Sequence, residues 1–196
     1  MAQLRLNLYM IAATVLLFSA MLGLNELLLR PLEFARGINW IYLPAGMRLL
    51  CTLLFAEAGA VGLLIVSWLS CFLLFFPDDW VRAFMAGILS TTAPYLVYLG
   101  ARRLYGLQAS LANLTGRRLL ACVLAYSLAS PALLNSWYWM RGDKGPLLLD
   151  FLVMAAGDLM GTLIVIYTAK GLLALALARR ARSRPRSGSQ SRSQSV

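Results

Sequence analysis

The sequence predicts an all-α membrane protein with about six transmembrane helices. Of its 196 residues, 60% are hydrophobic and only 13% are charged, and the mean hydropathy is +0.72. A soluble domain does not carry this composition, because its surface has to be largely polar. The apolar residues also form six long stretches, each near the length of roughly 20 residues that a helix needs to cross the hydrocarbon core.

The six predicted spans follow one another along the chain with short connections. Spans two and three are separated only by a turn near Glu57, which predicts a helical hairpin. Spans two, four and five contain a proline, and span six is longer than one crossing requires. In chain order, the spans cover about Asn7 to Leu29, Ile38 to Glu57, Gly59 to Phe76, Trp80 to Gly100, Leu119 to Met140 and Pro146 to Ala178.

The positions of the basic residues predict the orientation. The chain has 18 Lys and Arg residues against 8 Asp and Glu residues, a net charge of +10. Four arginines lie between spans four and five, and six more follow span six. Because loops rich in Lys and Arg stay in the cytoplasm, both clusters belong inside. Six crossings then place the N-terminus and the C-terminus in the cytoplasm.

The chain divides into two parts. Residues 1–178 form the predicted transmembrane domain, and residues 179–196 form a basic tail rich in Arg and Ser, which we expect to be disordered because it has little apolar area to bury. Such a tail attracts anionic lipids at the cytoplasmic face. We expect no specific nucleic-acid partner, since the tail is poor in sequence information and its charge is explained by topology.

One deep charge follows a predicted helix break in span two. Pro44 and Gly46 come just before Arg48, in apolar surroundings. Proline removes a backbone donor and disfavours helix at the preceding residue, so the chain before it is expected to enter the membrane at a different angle. Arg48 is about ten residues from either end of the span, too deep to reach the surface comfortably. We therefore expect Arg48 to face the protein interior.

Span six carries the opposite charge. Asp150 and Asp158 are a little more than two turns apart and lie on roughly the same helix face. Asp158 lies between Gly157 and Gly161, a spacing that lets another helix approach closely. A helix carrying Arg48 would neutralise Asp158 as a structural ion pair, or the two groups would bind a polar ligand or carry a proton. Both alternatives remain open from the sequence.

Aromatic residues mark the predicted outer face. Trp137, Tyr138 and Trp139 are consistent with an interfacial belt, or with the mouth of a ligand pocket. The chain has no histidine, and its three cysteines have no metal-site spacing, so we predict no metal and no cofactor. The absence of a recognisable base, nucleophile turn or phosphate loop predicts a protein that is not an enzyme.

Several short motifs together resemble the MASE1 family of bacterial integral-membrane sensory domains. They are Leu43-Pro44-Ala45-Gly46 opening an apolar hairpin, a turn at Glu57-Ala58-Gly59, the stretch from Gly87 to Pro94, the three aromatics at 137–139, and Gly157-Asp158-Leu159-Met160-Gly161. The resemblance covers about residues 38–178. It implies a multi-pass protein of the bacterial inner membrane that senses an unknown small molecule, with Pro44, Gly46, Gly157 and Asp158 as matching positions.

The resemblance also sets expectations about partners. MASE1 domains usually precede a signalling output domain; we expect none after the last span, so a sensor of this kind would act through a separate output protein. The chain is also similar to the substrate-binding subunits of energy-coupling-factor vitamin transporters, which dock on a shared transporter module. This similarity consists of six spans in under 200 residues, a second span broken by Pro and Gly, and a polar last span. A non-catalytic membrane scaffold is the third alternative.

Overall fold

The protein is described by a computed structural model that covers residues 1–35, 38–106, 115–142 and 145–182. Most of the predicted tail lies outside these residues, although the last helix continues to Arg182. The described part contains five long helices, connected mostly by short segments. They are α1 (Ala2–Leu29), α2 (Leu43–Ser70), α3 (Trp80–Tyr105), α4 (Gly116–Arg141) and α5 (Leu147–Arg182).

All five helices are long enough and apolar enough to cross a membrane. Large apolar side chains point outward, for example Leu16, Leu73 and Leu148, each at least 70% exposed. The interior instead contains polar groups such as Thr14 and Thr52, which are fully buried. Lipid tails are as apolar as leucine, so outward leucines cost nothing in a membrane. The predicted class, a helical protein with several membrane-compatible helices, is confirmed.

Most of the predicted spans two and three lies in the single helix α2, so the described residues form five long helices rather than six. Helix α2 is nevertheless interrupted by a backbone break at Ala56, where φ is 50° and ψ is −125°. A Cβ atom added to Gly59 would overlap the carbonyl oxygen of Cys51, eight residues earlier. In a straight helix these residues would be about 12 Å apart along the axis. The chain therefore folds back at Ala56 into two antiparallel halves.

Two exposed ion pairs lie at opposite ends of α3. Arg141 contacts Asp79 at 2.9 Å, beside the start of α3, and Arg102 contacts Glu57 at 3.5 Å, near its end. Asp79 also caps α3 by accepting a hydrogen bond from the Arg82 backbone N–H at 3.0 Å. That bond and the neighbouring Arg141 guanidinium hold the pKa of the Asp79 carboxyl below its usual range. The break in α2 and the end of α3 thus share one end of the bundle.

The segment before α2 is not helical, although the sequence predicts that span two begins at Ile38. A 3₁₀ turn at Arg30–Leu32 follows α1, and two short antiparallel strands, Glu33–Ala35 and Ile38–Asn39, come next. Residues 40–42 lead into α2 without forming a helix. We refer to residues 38–42 as the entry segment. Its difference from the prediction follows from Pro44, which fits the first turn of a helix but not its interior.

The break in α2 predicts an unusual response to glycine. Ala56 has a positive φ, a conformation that costs a residue with a side chain about 1–3 kcal/mol and costs glycine little. We expect Ala56→Gly to raise the free energy of unfolding by up to about 1 kcal/mol in detergent, measured by thermal or denaturant unfolding followed by circular dichroism. The matched control, Ala58→Gly, lies in regular helix and should lower it by about 1 kcal/mol. Equal destabilisation by both variants would contradict the fold-back at Ala56.

Candidate functional site

A small polar cavity lies between the entry segment and helices α2 to α5. Its volume is about 60 Å³, room for on the order of two to five water molecules. Three charged side chains line it: Arg48 from α2, Arg82 from α3 and Asp158 from α5. The polar lining is completed by Asn39, Tyr42, Ser90, Ser130 and Tyr138. We call this space the polar cavity.

The entry segment reaches the cavity by lying against the glycines of α5. The Tyr42 N–H donates a hydrogen bond to the Gly157 carbonyl oxygen at 3.1 Å. A Cβ on Gly157 would overlap the Asn39 carbonyl oxygen, and one on Gly161 would overlap the Tyr42 carbonyl oxygen. The small residues of α5 therefore accommodate a close neighbour, as their spacing predicts, but that neighbour is non-helical backbone rather than a helix.

The first turn of α2 is buried and is capped by another helix. Pro44 is the second residue of α2, so the predicted break is the start of the helix. The Leu43 N–H donates to the Asn25 side-chain oxygen of α1 at 3.0 Å. Pro44 has no N–H to satisfy, and the Ala45 N–H donates to the Tyr42 carbonyl at 3.2 Å. The free donors at a helix start are thus satisfied without water.

Gly46 allows α2 to pack tightly on α5 one turn below this start. A Cβ there would lie 2.6 Å from the Val165 Cβ and 2.9 Å from the Thr162 Cα. These distances are shorter than real contacts of this kind. Gly46 thereby brings α2 close to α5, on which Asp158 lies one turn before Thr162.

Arg48 is buried between two aromatic rings. Its side chain is only 6% exposed, and its guanidinium carbon lies 5.1 Å from the centre of the Phe18 ring and 5.5 Å from that of the Tyr42 ring. Aromatic faces attract cations, more strongly where water is excluded. The Nε atom of Arg48 nevertheless has no hydrogen-bond partner. The neighbours of Arg48 therefore stabilise its charge only in part.

Asp158 faces the same cavity from α5. It is 4% exposed and has Ser130 of α4 as a hydrogen-bonding neighbour, but its second oxygen, Oδ2, has no partner. Arg48 interacts with Asp158 electrostatically. The ion pairs found among the described residues do not join the two side chains directly. The two predicted residues thus meet at one cavity without closing a direct salt bridge.

Asp150 does not lie at this cavity. It is half-buried near the start of α5 and interacts electrostatically with Arg82 rather than with Arg48. Arg82 is the cavity residue that sequence reasoning missed. Because it lies only two residues after Trp80, its position is typical of an interfacial residue. Its guanidinium carbon instead lies 4.5 Å from the centre of the Tyr138 ring and 4.8 Å from that of the Phe76 ring.

The three consecutive aromatics point in different directions, because successive helical residues are about 100° apart. Tyr138 is buried and lines the cavity. Trp137 is partly buried and lies under the Arg141 guanidinium at 5.4 Å. Trp139 is 72% exposed. Of the predicted aromatic mouth, Tyr138 alone is a cavity residue.

The polar cavity combines hydrogen-bond donors and acceptors from charged and hydroxyl side chains. In the part of the chain that the structure describes, no group of three or more His, Cys, Asp or Glu side chains could hold a metal ion, and the three cysteines are buried thiols. The cavity offers donors from Arg48 and Arg82, an acceptor from Asp158, and hydroxyl groups. Such a set can hold a small molecule that both accepts and donates hydrogen bonds.

The contact between the entry segment and α5 predicts two sensitive glycines. Gly157→Ala and Gly161→Ala should each lower the melting temperature in detergent strongly, because the added methyl group meets a backbone oxygen that cannot move aside. The matched control is Gly171→Ala on the same helix, where nothing lies within 4 Å of the added atom. We expect that variant to be neutral or slightly stabilising. If all three variants have the same melting temperature, the close contact is not present in the folded protein.

Comparisons with known proteins add no family to these observations. No family model, no curated protein and no solved structure matches the chain.

Proposed function

We propose that the chain is a sensor module of the bacterial inner membrane, resembling the MASE1 type, which binds a small polar molecule in the polar cavity through Arg48 and Asp158. The observation that carries the proposal is a buried cavity faced by an arginine and an aspartate that each retain an unpartnered polar atom. Binding would report to a separate output protein rather than drive a reaction.

The energetics of the cavity support a ligand. A charge at the membrane centre costs about 2.5–3.5 kcal/mol even on insertion scales, and an unsatisfied buried polar atom costs about 1–3 kcal/mol more. Water in the cavity would recover part of this cost. A ligand with an acceptor for Arg48 and a donor for Asp158 would recover it more fully. A ligand bound in the polar cavity would thus stabilise the helix bundle.

The size of the cavity favours sensing of a small molecule over capture of a vitamin. Pockets for drug-sized ligands usually measure about 300–1,000 Å³, whereas the polar cavity measures about 60 Å³. A ligand of only a few non-hydrogen atoms fits this space.

The position of the cavity would allow ligand binding to move the cytoplasmic end of α5. A ligand between Arg48 and Asp158 would bridge α2 and α5. Helix α5 has 36 residues, about 54 Å at 1.5 Å per residue, well beyond the hydrocarbon thickness of about 30 Å. A small shift of α5 at the cavity would therefore move its basic far end, where an output protein could read it.

The proposed topology has six crossings with both termini in the cytoplasm. Three contacts support it. Glu57 pairs with Arg102, Arg117 and Lys170 line a common groove, and Asp79 pairs with Arg141 at the other end. The fold-back at Ala56 makes the two halves of α2 separate passes, the first of them beginning with the entry segment. The end rich in arginines is then cytoplasmic.

The proposal predicts a bound molecule that depends on both deep charges. Protein purified in mild detergent should release, on denaturation, a small polar molecule detectable by mass spectrometry at near one per chain. Arg48→Met and Asp158→Asn should each lower its amount at least about tenfold, because a hydrogen bond to a charged group contributes about 1.5–3 kcal/mol. The exposed Glu57→Gln variant should retain it.

A purely structural role for the two charges gives a different result. The wild-type protein would then release no such molecule, and Arg48→Met combined with Asp158→Asn would melt higher than either single variant, since removing both charges avoids an uncompensated one. That pair of results would exclude the sensor proposal.

The topology predicts where single cysteines react. In a background without Cys51, Cys71 and Cys122, Glu57→Cys should react with a membrane-impermeant maleimide only from the cytoplasmic side. Asp78→Cys, in the turn before α3, should react only from the opposite side. A continuous α2 crossing would instead bury position 57 and leave it unreactive from both sides, which would contradict six crossings.

A further inference from the structure

A second site lies away from the polar cavity, in a groove between the first turns of α4 and the later part of α5. Its volume is about 370 Å³. The side chains along it are apolar, among them Leu120 and Leu163, and two cations stand at its end, Arg117 and Lys170. We propose that this groove binds one anionic phospholipid, with its phosphate on Arg117 and Lys170 and an acyl chain along the apolar part. We call it the lipid groove.

The two cations of the lipid groove have no counter-ion among the residues that the structure describes. Both side chains are exposed, and neither forms an ion pair with any residue in the described ranges. Glu57, the acidic residue found at this end, is engaged with Arg102. The sequence between α3 and α4 at residues 107–114, and the sequence after α5 at residues 183–196, contains no Asp or Glu. No carboxylate of the described residues neutralises Arg117 and Lys170, so both charges are available to an anionic ligand.

A neighbouring groove has a similar apolar lining but no cations, so the cations distinguish the lipid groove from it. The space between α3 and α4 at the same end measures about 290 Å³ and is lined by apolar and small residues with Tyr105, and by no charged side chain. Either groove would accept an acyl chain, but the lipid groove adds two cations that can bind a phosphate. Basic pockets between helices at the cytoplasmic side are typical sites for anionic headgroups.

A phospholipid fits these features better than a soluble anion. The apolar lining lies on helices that are apolar enough to cross a membrane, so lipid tails are its natural surroundings. A free phosphate would use the cations and leave the apolar part unused. Each cation near a membrane surface contributes about 1 kcal/mol to the binding of anionic lipid, which is about fivefold in affinity.

Native mass spectrometry of the full chain tests the proposal. The detergent-solubilised protein is titrated with phosphatidylglycerol, or with phosphatidylcholine of the same acyl chains, and the fraction carrying one lipid is measured. We expect one phosphatidylglycerol to bind at concentrations where phosphatidylcholine does not. Arg117→Gln with Lys170→Gln should weaken this first binding step roughly tenfold to thirtyfold.

Two further variants test whether lipid binding depends on the groove itself or only on the net positive charge of the protein. Arg5→Gln with Arg103→Gln removes the same charge from exposed positions that do not line the groove, and should leave the first binding step within about twofold of wild type. Leu120→Trp keeps both cations but fills the groove, and should weaken phosphatidylglycerol binding as well. Equal losses in the two charge variants, or no loss with Leu120→Trp, would overturn the lipid groove.

Competition with glycerol phosphate decides between a lipid and a free anion. At millimolar concentration, glycerol phosphate should not displace the bound lipid, because it lacks the acyl chain that occupies the apolar part. Full displacement would show a phosphate site and would overturn the assignment to a lipid. These measurements do not involve Arg48 or Asp158, so their outcome is independent of whether the sensor proposal is correct.

Discussion

The structure depends on non-helical backbone being satisfied inside a bundle of apolar helices. In hydrocarbon, an unpaired N–H or carbonyl costs several kcal/mol, so irregular segments persist only where protein covers them. The entry segment meets this requirement through the Tyr42 N–H, which donates to the Gly157 carbonyl, and through α5 glycines that let its carbonyls approach. Asn25 then satisfies the buried start of α2. Without these contacts, α2 could not begin inside the bundle.

The buried start of α2 explains why the cavity is where it is. A helix that began at the outer surface would fill the space beside α5 with its own side chains. The entry segment is thinner than a helix, and it leaves room between α2 and α5 at the level of Arg48 and Asp158. The rings of Phe18 and Tyr42 then cover the arginine, so its charge is held without a direct carboxylate partner. The cavity is thus a consequence of backbone geometry as much as of side-chain choice.

The sequence predicts the class of the protein and the main charges of the site better than it predicts the course of the chain. Hydropathy finds the helices because membrane burial requires continuous apolar length. Counting residues predicts that Arg48 and Asp158 lie deep in their spans, and the structure buries both side chains at one cavity. Pro44 predicts a break near this point, but the extended form of the entry segment was not predicted, because residues 38–42 are mostly apolar and nothing in them distinguishes an extended passage from a helix. The closeness of Gly157 and Gly161 to a neighbour was predicted, but glycine spacing does not say whether that neighbour is a helix.

The role of Arg82 could not be predicted from its own segment of the sequence. Its nearness to Trp80 is typical of an interfacial arginine, and nothing local places it beside a cavity. Its contacts come from Phe76, before α3, and from Tyr138, on α4, so its role is visible only once three segments are assembled. With Arg82 included, the cavity carries two cations and one anion. Arg82 also interacts electrostatically with Asp79 and Asp150, so the charge balance of the cavity depends on carboxylates outside its lining as well as on Asp158.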